Sequence, residues 1–415
     1  MSFQREIIKV AEARKRIMPH IRVKNTERVP LFKSHGRHLA EEIRANTHLP
    51  PFRRSGMDGY AVQTSSTKGA SKEKPVWLEV LESIPCGHVP KHETRPGTAS
   101  RIMTGAAVPD GADAVVMLEM TQTIDKEGKT YVGVQREVSP GSNIASIGEE
   151  VTQGTLLLEK GRKIGAGEMA LLATFGHAEV EVFKQPTVAI FATGSELLDV
   201  SAPLEPGKIR NSNGFMLYSQ VMDAGALPHL KGILPDDAEK ARTAILQAME
   251  VYDLVITTGG VSVGDYDILV DFFSRWDGQM LFNKLAMRPG SPTTVGVFKN
   301  KFLFALSGNP GACFVGFELF VRPVLLGMMG KTPPDLSVFT AIMAENFHKP
   351  SPFERFVRGI YSIKEGKVFV RPAGMEKSSI TLTIRDANCL IIVPSGGRGV
   401  QKGDLVRAIM LKKWE

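Results

Sequence analysis

The fold that this sequence predicts is decided by one stretch, Asp253-Leu254-Val255-Ile256-Thr257-Thr258-Gly259-Gly260-Val261-Ser262-Val263-Gly264-Asp265-Tyr266-Asp267. Its apolar run from Leu254 to Ile256 is typical of a strand buried in a parallel sheet. The two glycines that follow allow a sharp turn and a close approach of backbone N–H groups to a ligand. Helical spacing begins near Asp267. A strand, a glycine-rich turn and a helix in this order predict a phosphate-binding site.

Two familiar nucleotide-binding motifs are missing from this turn. It has no Walker lysine and no G-x-G-x-x-G spacing, so neither of those functions is predicted. A tight βα turn that binds nothing would show the same pair of glycines. Two acids, Asp265 and Asp267, crowd the turn, and hard divalent cations prefer oxygen ligands. The acids therefore favour a phosphate site with a bound cation.

Two other apolar runs end in turns of the same kind. Val188 to Phe191 leads into Thr193-Gly194-Ser195-Glu196, and Phe302 to Leu306 leads into Ser307-Gly308-Asn309-Pro310. Strands alternate with helical segments over this region, which predicts a three-layer α/β domain with a mostly parallel sheet. Ligands bind beyond the carboxyl ends of parallel strands, so the three turns are expected at one sheet edge.

Further charged residues are expected beside the same edge. Asp236 follows a short strand, and Lys284 and Arg288 are spaced i, i+4. The spacing of these two cations fits a pair on the surface and an anion-binding pair about equally well.

The segments on either side of the α/β region predict additional structure. Apolar residues at helical spacing predict a long amphipathic helix from Glu6 to Val23, whose partner is either a distant segment or another subunit. Short alternating runs separated by Gly and Pro predict a β-rich domain over residues 75–140. After a linker at Lys331-Thr332-Pro333-Pro334, alternating strands in 336–415 fit a small β-barrel.

Three polar residues stand in predicted loops of the first 150 residues, and their local sequence favours a structural role for each. Asp58 lies between glycines, where turn chemistry is the usual explanation. Thr104 ends a strand and is better placed to cap the next segment than to touch a ligand. Glu150 follows another acid, Glu149, and adjacent acids usually lie on a solvated face.

The bulk composition is that of an ordinary globular protein. The 415 residues are 43% hydrophobic and 23% charged, with a net charge of +7. The basic residues are dispersed without aromatic interleaving, which disfavours nucleic acid and suits a solvated surface or an anionic small substrate. Three scattered cysteines are too few for a disulfide framework or a zinc site. With no predicted membrane span and no signal-peptide core, these features favour the cytoplasm.

Four motifs follow one another over nearly the whole chain. They are Ser55-Gly56-Met57-Asp58-Gly59-Tyr60-Ala61, Arg101-Ile102-Met103-Thr104-Gly105, Thr257 to Asp267, and Ser307-Gly308-Asn309-Pro310. In this order they resemble the MoeA family of molybdopterin molybdenumtransferases, which is also found as the gephyrin E domain.

The resemblance implies an activity and an assembly. The activity is the insertion of molybdate into adenylylated molybdopterin with release of AMP and a requirement for Mg²⁺. The assembly is an elongated homodimer in which each active site is shared between the α/β domain of one chain and the β-rich domain of the other. Molybdopterin adenylyltransferase and the proteins that accept the cofactor are possible protein partners; neither nucleic acid nor membrane is expected.

The resemblance also assigns roles to individual residues. Glu196, Asp236 and Asp267 are expected to hold the metal. The full catalytic set that it implies is Asp58, Thr104, Glu150, Glu196, Asp236 and Asp267. The substrate-binding residues expected in and beside the turns are Thr193, Gly194, Ser195, Asn213, Thr258, Gly259, Gly260, Val261, Ser262, Lys284, Arg288, Ser307, Gly308, Asn309 and Pro310. In the barrel, Arg358 and Ser378 are weaker candidates for molybdate.

This chain departs from the family pattern at several of these positions. Glu150 stands where the family usually has Asp. Arg288 and Ser291 replace the two lysines of the usual Lys-Pro-Gly-Lys-Pro, and Ser307 replaces a proline. Arg288 keeps a positive charge and offers two parallel donors, whereas Ser291 lacks the positive charge of the usual lysine. The departures affect the placement of an oxyanion more than the overall function.

Together, motifs and patterning predict a multidomain α+β and α/β protein. The domains expected are an elongated helical and β dimerisation domain (1–46 with 147–180), a β-rich second domain (47–146), a MogA-like α/β molybdopterin-binding domain (181–330) and a C-terminal small β-barrel (331–415). Two alternatives to the transferase remain. One is a molybdopterin adenylyltransferase, whose enzyme resembles the α/β domain alone, and the other is a non-catalytic scaffold or paralogue.

Overall fold

The computed structural model describes residues 6–235, 237–260, 268–332, 334, 336–397 and 399–411. Contacts group the chain into two compact units. The larger unit consists of Met1–Glu41, Lys160–Met169 and Ala178–Glu415, and the smaller of Glu42–Glu159 and Ala170–His177. Each unit is built around its own sheets and core.

A six-stranded sheet forms the middle of the larger unit. Its strands, in spatial order, are Leu227–Ile233, Thr187–Ala192, Leu254–Thr258, Lys301–Leu306, Thr294–Phe298 and Gln279–Phe282. The first four are parallel, and the last two run antiparallel to their neighbours. The mostly parallel sheet that strand–helix alternation predicted is confirmed.

Helices cover both faces of this sheet, because alternate side chains of a strand point to opposite faces. Val188 and Ile256 pack in one core with Leu217 of the helix Ser212–Asp223. Ala189 and Val255 pack in a second core with residues of the helices that cover the other face, Ala238–Val251 and Ile268–Ser274. The result is the three-layer α/β arrangement.

The last helical segment of this domain is the most apolar one. Pro310–Gly316 continues as a π-helical turn, Phe317–Val321, and then as Arg322–Met328. Among the described residues, Pro310–Met328 is the one helix whose length and hydropathy would suit a membrane span, but 89% of its apolar 18-residue window is buried inside the protein. Buried Glu318 is paired with Arg322 at 2.5 Å. This segment is a core helix of the α/β domain.

The N-terminal helix is shorter than its amphipathic pattern predicted. It spans Val10–Ile17 and passes into the 3₁₀ turn Met18–His20. Pro19 has no backbone N–H to donate, which ends the α-helical pattern there. Before the helix, Ile8 forms a β-bridge with Leu285. Val10, Ala13 and Ile17 are buried in the α/β core, so the partner of this helix is a distant segment of its own chain.

The C-terminal strands form the predicted small barrel. Glu354–Lys364 pairs with both Lys367–Pro372 and Cys389–Val393, which closes the barrel. Val338–Met343 and Leu405–Met410 complete it, and the short helix Leu382–Asp386 lies before the fourth strand. The strand Met287–Arg288 of the α/β region joins the barrel by parallel pairing with Glu354 and Arg355.

The smaller unit contains the β-rich structure predicted for residues 75–140. Its six-stranded sheet has the spatial order Ala114–Met117, Gly59–Val62, Thr98–Ile102, Val76–Ile84, Lys129–Val134 and Thr121–Lys126. Two short ladders, Ile43–Arg44 with Leu156–Leu158 and Arg54–Ser55 with Ile144–Ala145, lie in the same unit.

The remaining elements are short. In the larger unit, Thr26–Pro30 pairs with Glu179–Phe183, and Leu197–Leu198 pairs with Ile209–Arg210. Single 3₁₀ turns occur at Leu31–Lys33, Thr64–Thr67 and Leu118–Met120. The helix Ala166–Thr174 follows the strand Leu156–Leu158 in the chain.

We predict that Gly311→Ala destabilises the α/β domain and barrel. A Cβ at Gly311 would stand 1.7 Å from Nη1 of the fully buried Arg358 and 3.0 Å from the carbonyl oxygen of Ser378. Overpacking of this kind costs about 1–3 kcal/mol of unfolding free energy. A lowered midpoint in thermal or denaturant unfolding would show it.

Gly167→Ala is the matched control, since nothing lies within 4 Å of the added Cβ in the helix Ala166–Thr174. This variant is expected to equal or slightly exceed the wild-type stability, because Ala loses less chain entropy than Gly in a helix. Equal midpoints for the two variants would contradict the close approach at Gly311.

Candidate functional site

The main cavity of the larger unit lies where the predicted turns meet. Its volume is about 1870 Å³. The lining residues expected from the sequence are Thr193, Gly194, Ser195, Glu196, Gly259, Gly260, Lys284, Arg288, Ser307, Gly308, Asn309 and Pro310. All three glycine-rich turns and both cations of the i, i+4 pair therefore border one space.

Strand register explains why the three turns meet. Ala192 is level with Thr258, and Thr258 is level with Leu306, in neighbouring parallel strands. Each strand ends at that level and turns into a glycine-rich loop. Parallel strands in register place their carboxyl ends at one edge, and that edge is where α/β sheets bind ligands.

Hydrogen bonds between the turns fix their relative positions. Buried Asn213 donates through Nδ2 to the Thr258 hydroxyl and to the Gly308 carbonyl, each at 2.8 Å. The Thr258 hydroxyl donates in turn to the carbonyl of Ser307 at 3.1 Å. Asn213 and Thr258 line a small recess beneath the turns rather than the main cavity. Their contacts hold the backbone of the turns in place.

Two glycines of these turns adopt backbone conformations that side chains disfavour. Gly259 has a φ of 97°, and a Cβ there would lie 2.4 Å from the carbonyl oxygen of Thr193. Gly194 has a φ of 137°, and a Cβ there would lie 2.3 Å from a carboxylate oxygen of Glu196. Both φ values favour glycine, and at Gly259 the close backbone of the first turn also leaves no room for a Cβ.

Of the three residues expected to bind the metal, Glu196 is the one that lies within the described residues. Its side chain is exposed at the cavity, folded over Gly194, and no hydrogen bond or ion pair engages it within the described structure. Asp236 and Asp267, with Val261 and Ser262 of the substrate set, lie outside the described residues. Over the residues that the structure covers, no group of three or more His, Cys, Asp or Glu side chains converges on one point.

The barrel supplies a wall of the cavity that the sequence reasoning mostly missed. It contributes Lys349, Phe353, Arg355, Glu376, Lys377, Ser378, Ser379 and Thr381. Only Ser378 had been singled out. The local sequence of a barrel strand gives no signal for this wall, since it arises from the pairing of Met287–Arg288 with the barrel.

Arg358, the other barrel candidate, is not among the residues that line the cavity. Its side chain is fully buried and donates to the Thr383 hydroxyl, the Lys377 carbonyl and the Glu376 carboxylate at 2.9, 2.9 and 3.2 Å. Burial raises the pKa of Glu376 and lowers that of Arg358. In this conformation Arg358 holds the loop that forms the cavity wall.

Asp58 and Thr104 form a second polar group, in the smaller unit. Gly59 is paired with Ile102, so the residues just beyond these antiparallel strands meet. Asp58 accepts hydrogen bonds from the Thr104 N–H at 2.7 Å and from its hydroxyl at 3.1 Å. These bonds, the backbone one first, lower the pKa of the Asp58 carboxyl. The two loop residues form one pair, whereas the sequence had favoured independent structural roles.

Glu150 is exposed and forms no hydrogen bond with Asp58 or Thr104 in the described structure. Its backbone N–H donates to the carbonyl of Leu49 at 3.0 Å, which anchors the loop. Its predicted catalytic role stays a prediction.

Three family models match successive parts of this chain. The MoeA N-terminal region (domains I and II) matches residues 8–176, a probable molybdopterin binding domain matches 189–327, and the MoeA C-terminal region (domain IV) matches 340–411. A molybdopterin molybdenumtransferase of Bacillus subtilis is 46% identical over 410 residues, covering 99% of this chain and 95% of the relative. The chain belongs to the MoeA family.

Other members of the MoeA family agree with this assignment. A molybdopterin molybdenumtransferase of Staphylococcus aureus is 43% identical and covers 98% of this chain and 96% of its own length. The crystal structure of a molybdopterin biosynthesis MoeA protein from Pyrococcus horikoshii OT3 is 31% identical, with a TM-score of 0.82 over 98% of this chain and all of that one. The resemblance drawn from four sequence motifs is confirmed.

The Asp58–Thr104 pair of this MoeA-family chain predicts a measurable titration. Thr104→Ala removes the hydroxyl donor but keeps the backbone N–H donor, which lowers the pKa of Asp58 most strongly. The pKa of Asp58 is therefore expected to rise toward its ordinary value without reaching it. Carbon-detected NMR titration of the Asp58 carboxyl in both proteins would measure the change.

Thr123→Ala, which alters an exposed threonine of the same sheet, serves as the control and should leave the Asp58 titration unchanged. If Thr104→Ala left the pKa of Asp58 where it is in the wild type, the hydroxyl contact would have no influence on the carboxylate.

Proposed function

We propose that this chain is a molybdopterin molybdenumtransferase, which inserts molybdenum from molybdate into adenylylated molybdopterin and releases AMP. The observation that carries the proposal is the meeting of three glycine-rich turns and several cations in one cavity. Membership of the MoeA family and the shared name of its curated relatives support it.

The cavity suits a substrate that carries several phosphate oxygens. Backbone N–H groups in glycine-rich turns bind such oxygens without needing a side chain. Lys284, Arg288 and Arg210 add positive charge at the same space. Because Asn213 braces the second and third turns, their backbone is held in position before a substrate arrives. Preorganised donors of this kind stabilise charge that develops in a transition state.

The oxygen ligands near the first turn fit the Mg²⁺ requirement that we propose. Glu196 offers an exposed carboxylate at the cavity, and Asp236 and Asp267 would complete the set by their positions in the family motifs. When bound, Mg²⁺ would neutralise charge on the oxygens of the pyrophosphate bond that is cleaved. Glu196 itself would hold the Mg²⁺ ion beside the backbone of Gly194 and Ser195.

We also propose the assembly and location that the resemblance implies. In a homodimer, Asp58, Thr104 and Glu150 of one chain would complete the cavity of its partner. Hydrogen bonds from Thr104 lower the pKa of Asp58, which favours the charged form that would orient molybdate or water. Free Cys313 and Cys389 are buried thiols, which suits the reducing cytoplasm.

The alternative functions are less well supported. An adenylyltransferase limited to the α/β domain is not favoured, because the relatives match this chain over nearly their whole length and carry the transferase name. A non-catalytic paralogue would fail to complement a strain that lacks the molybdenumtransferase, whereas an active enzyme would restore cofactor synthesis.

The first test of the function is Glu196→Gln, which keeps the shape of the side chain but removes its charge. AMP release from adenylylated molybdopterin should fall at least about 10- to 100-fold, the loss that even outer-shell partners of a metal produce. Excess Mg²⁺ should recover part of the rate. Asp267→Ala, chosen from the motif, is expected to abolish Mg²⁺-dependent release while leaving the dimer intact.

Glu205→Gln is the matched control for Glu196→Gln, since Glu205 is exposed and outside the lining of the cavity. It should release AMP at the wild-type rate. Wild-type rates in Glu196→Gln across a Mg²⁺ titration would remove Glu196 from the proposed metal site.

A second test concerns the homodimer. The helix Ser212–Asp223 exposes Phe215, Tyr218 and Met222 on one face, with Phe215 48% and Met222 56% exposed. The neighbouring edge strand exposes Leu230 and Ile233. We propose that this apolar face is the subunit interface. Burial of each large apolar side chain there would contribute about 1.5–3 kcal/mol to dimerisation. The double variant Phe215→Ser/Met222→Ser is therefore expected to weaken dimerisation about 100-fold or more.

Light scattering coupled to size exclusion would measure the shift from dimer to monomer, with circular dichroism to verify folding. Leu405→Ser changes a barrel residue that is 73% exposed and should stay dimeric. A dimer of undiminished affinity in the double variant would place the subunit interface elsewhere.

A further inference from the structure

Two arginines from different parts of the chain stand side by side at the cavity. Arg288 and Arg355 are partners in the parallel pairing of Met287–Arg288 with the barrel strand Glu354–Lys364. Paired residues of neighbouring strands lie about 4.8 Å apart. Both arginines line the main cavity. The backbone pairing of the two strands thereby brings two guanidinium groups to one wall of the cavity. Arg288 is paired directly with Arg355 and not with an acidic residue.

The surroundings leave this pair with an excess of positive charge. Lys349 and Lys377 line the same wall, and Glu376 is its one acid among the lining residues of the described barrel. Glu376 is ion-paired with buried Arg358 at 3.2 Å. Within the described structure neither Arg288 nor Arg355 forms an ion pair. The cationic wall therefore retains charge that a ligand can neutralise.

Arg355 also carries a buried donor that is not used. Its Nε atom is enclosed and has no hydrogen-bond partner among the described residues. Burial, and after it the neighbouring Arg288, lowers the pKa of Arg355. Repulsion between the two positive charges disfavours the charged form of Arg355. Burial disfavours it as well, because an enclosed donor loses its hydrogen bonds to water. An anion that bridges the two guanidinium groups would relieve the repulsion between them.

The sequence supplies a reason for a second arginine at this wall. Ser291 stands where the resemblance noted a lysine in the usual Lys-Pro-Gly-Lys-Pro. Ser291 also lines the cavity, but its hydroxyl donates to the carbonyl of Leu285 at 2.6 Å. It brings neither charge nor a free donor. Arg355 is positioned to replace the cation that this loop lacks.

We propose that Arg288 and Arg355 form a two-arginine clamp that binds a tetrahedral oxyanion of the substrate pair, and that Arg355 compensates for Ser291. This inference rests on the proposed function for the identity of the oxyanion. A guanidinium presents two parallel donors to such an anion, and a facing pair can engage several of its oxygens. The oxyanion is either free molybdate or a phosphate group of the adenylylated pterin.

Calorimetric titration of the full-length enzyme distinguishes these two sources. Molybdate is one probe, and AMP and inorganic pyrophosphate are the others. Arg355→Gln should lower the affinity for the probe that the clamp binds by about 10- to 100-fold, the range expected for a hydrogen bond to a charged group. Arg355→Lys keeps the charge but loses the paired donors, so an intermediate affinity is expected.

Arg371→Gln provides the matched control, because it removes the same charge from an exposed barrel residue outside the cavity lining. Its affinities should equal those of the wild type. Thermal unfolding of each variant verifies that the barrel remains folded. The double variant Arg355→Gln/Ser291→Lys should recover at least part of the lost affinity, because it returns a cation to the same cavity.

The outcomes separate the clamp from the overall function. Weaker molybdate binding alone assigns the clamp to the free oxyanion, and weaker AMP or pyrophosphate binding alone assigns it to the substrate phosphate. Unchanged affinity of Arg355→Gln for all three probes overturns the clamp. A double variant as weak as Arg355→Gln overturns the compensation by Arg355. Failure of the wild-type enzyme to release AMP would overturn the proposed function instead, whatever the titrations show.

Discussion

The register of three parallel strands is the constraint on which the rest of the site depends. Ala192, Thr258 and Leu306 end their strands at one level, and each strand is followed by a glycine-containing turn. Asn213 ties the second turn to the third, with two hydrogen bonds of 2.8 Å. Breaking that register would separate the loops. The turns that we propose to bind phosphate oxygens are thus positioned by the sheet itself.

Much of this architecture could be predicted from sequence because its signals are local. Buried strands, helix caps and glycine turns are set by near neighbours, and four ordered motifs sufficed for the family. The N-terminal helix shows the limit: its apolar pattern continues past Pro19, and the pattern alone did not show that the helix ends there. The site was predictable to a similar degree. Turn residues were found, whereas Arg355 depends on a pairing that links distant strands.

The buried Arg358 shows how the barrel wall is held at the cavity. Its guanidinium engages Glu376, Lys377 and Thr383, and Gly311 gives it room against the helix that begins at Pro310. Removing one partner from such a buried ion pair leaves an uncompensated charge, which is strongly destabilising. Arg358 was a candidate for oxyanion binding by position. In this conformation its Nε and Nη2 atoms donate to Thr383, Glu376 and Lys377, and Arg358 does not line the cavity, whereas Arg355 does.

The cavity thereby divides its chemistry between backbone and side chains. Glycine turns lie at the sheet edge, Glu196 offers oxygen ligands beside them, and Arg288 and Arg355 lie on the barrel side. Keeping the carboxylate and the arginine pair on different elements would let one cavity hold both the cation and the oxyanion that we propose. A reaction that joins a metal oxyanion to a phosphorylated substrate requires such a separation of charge.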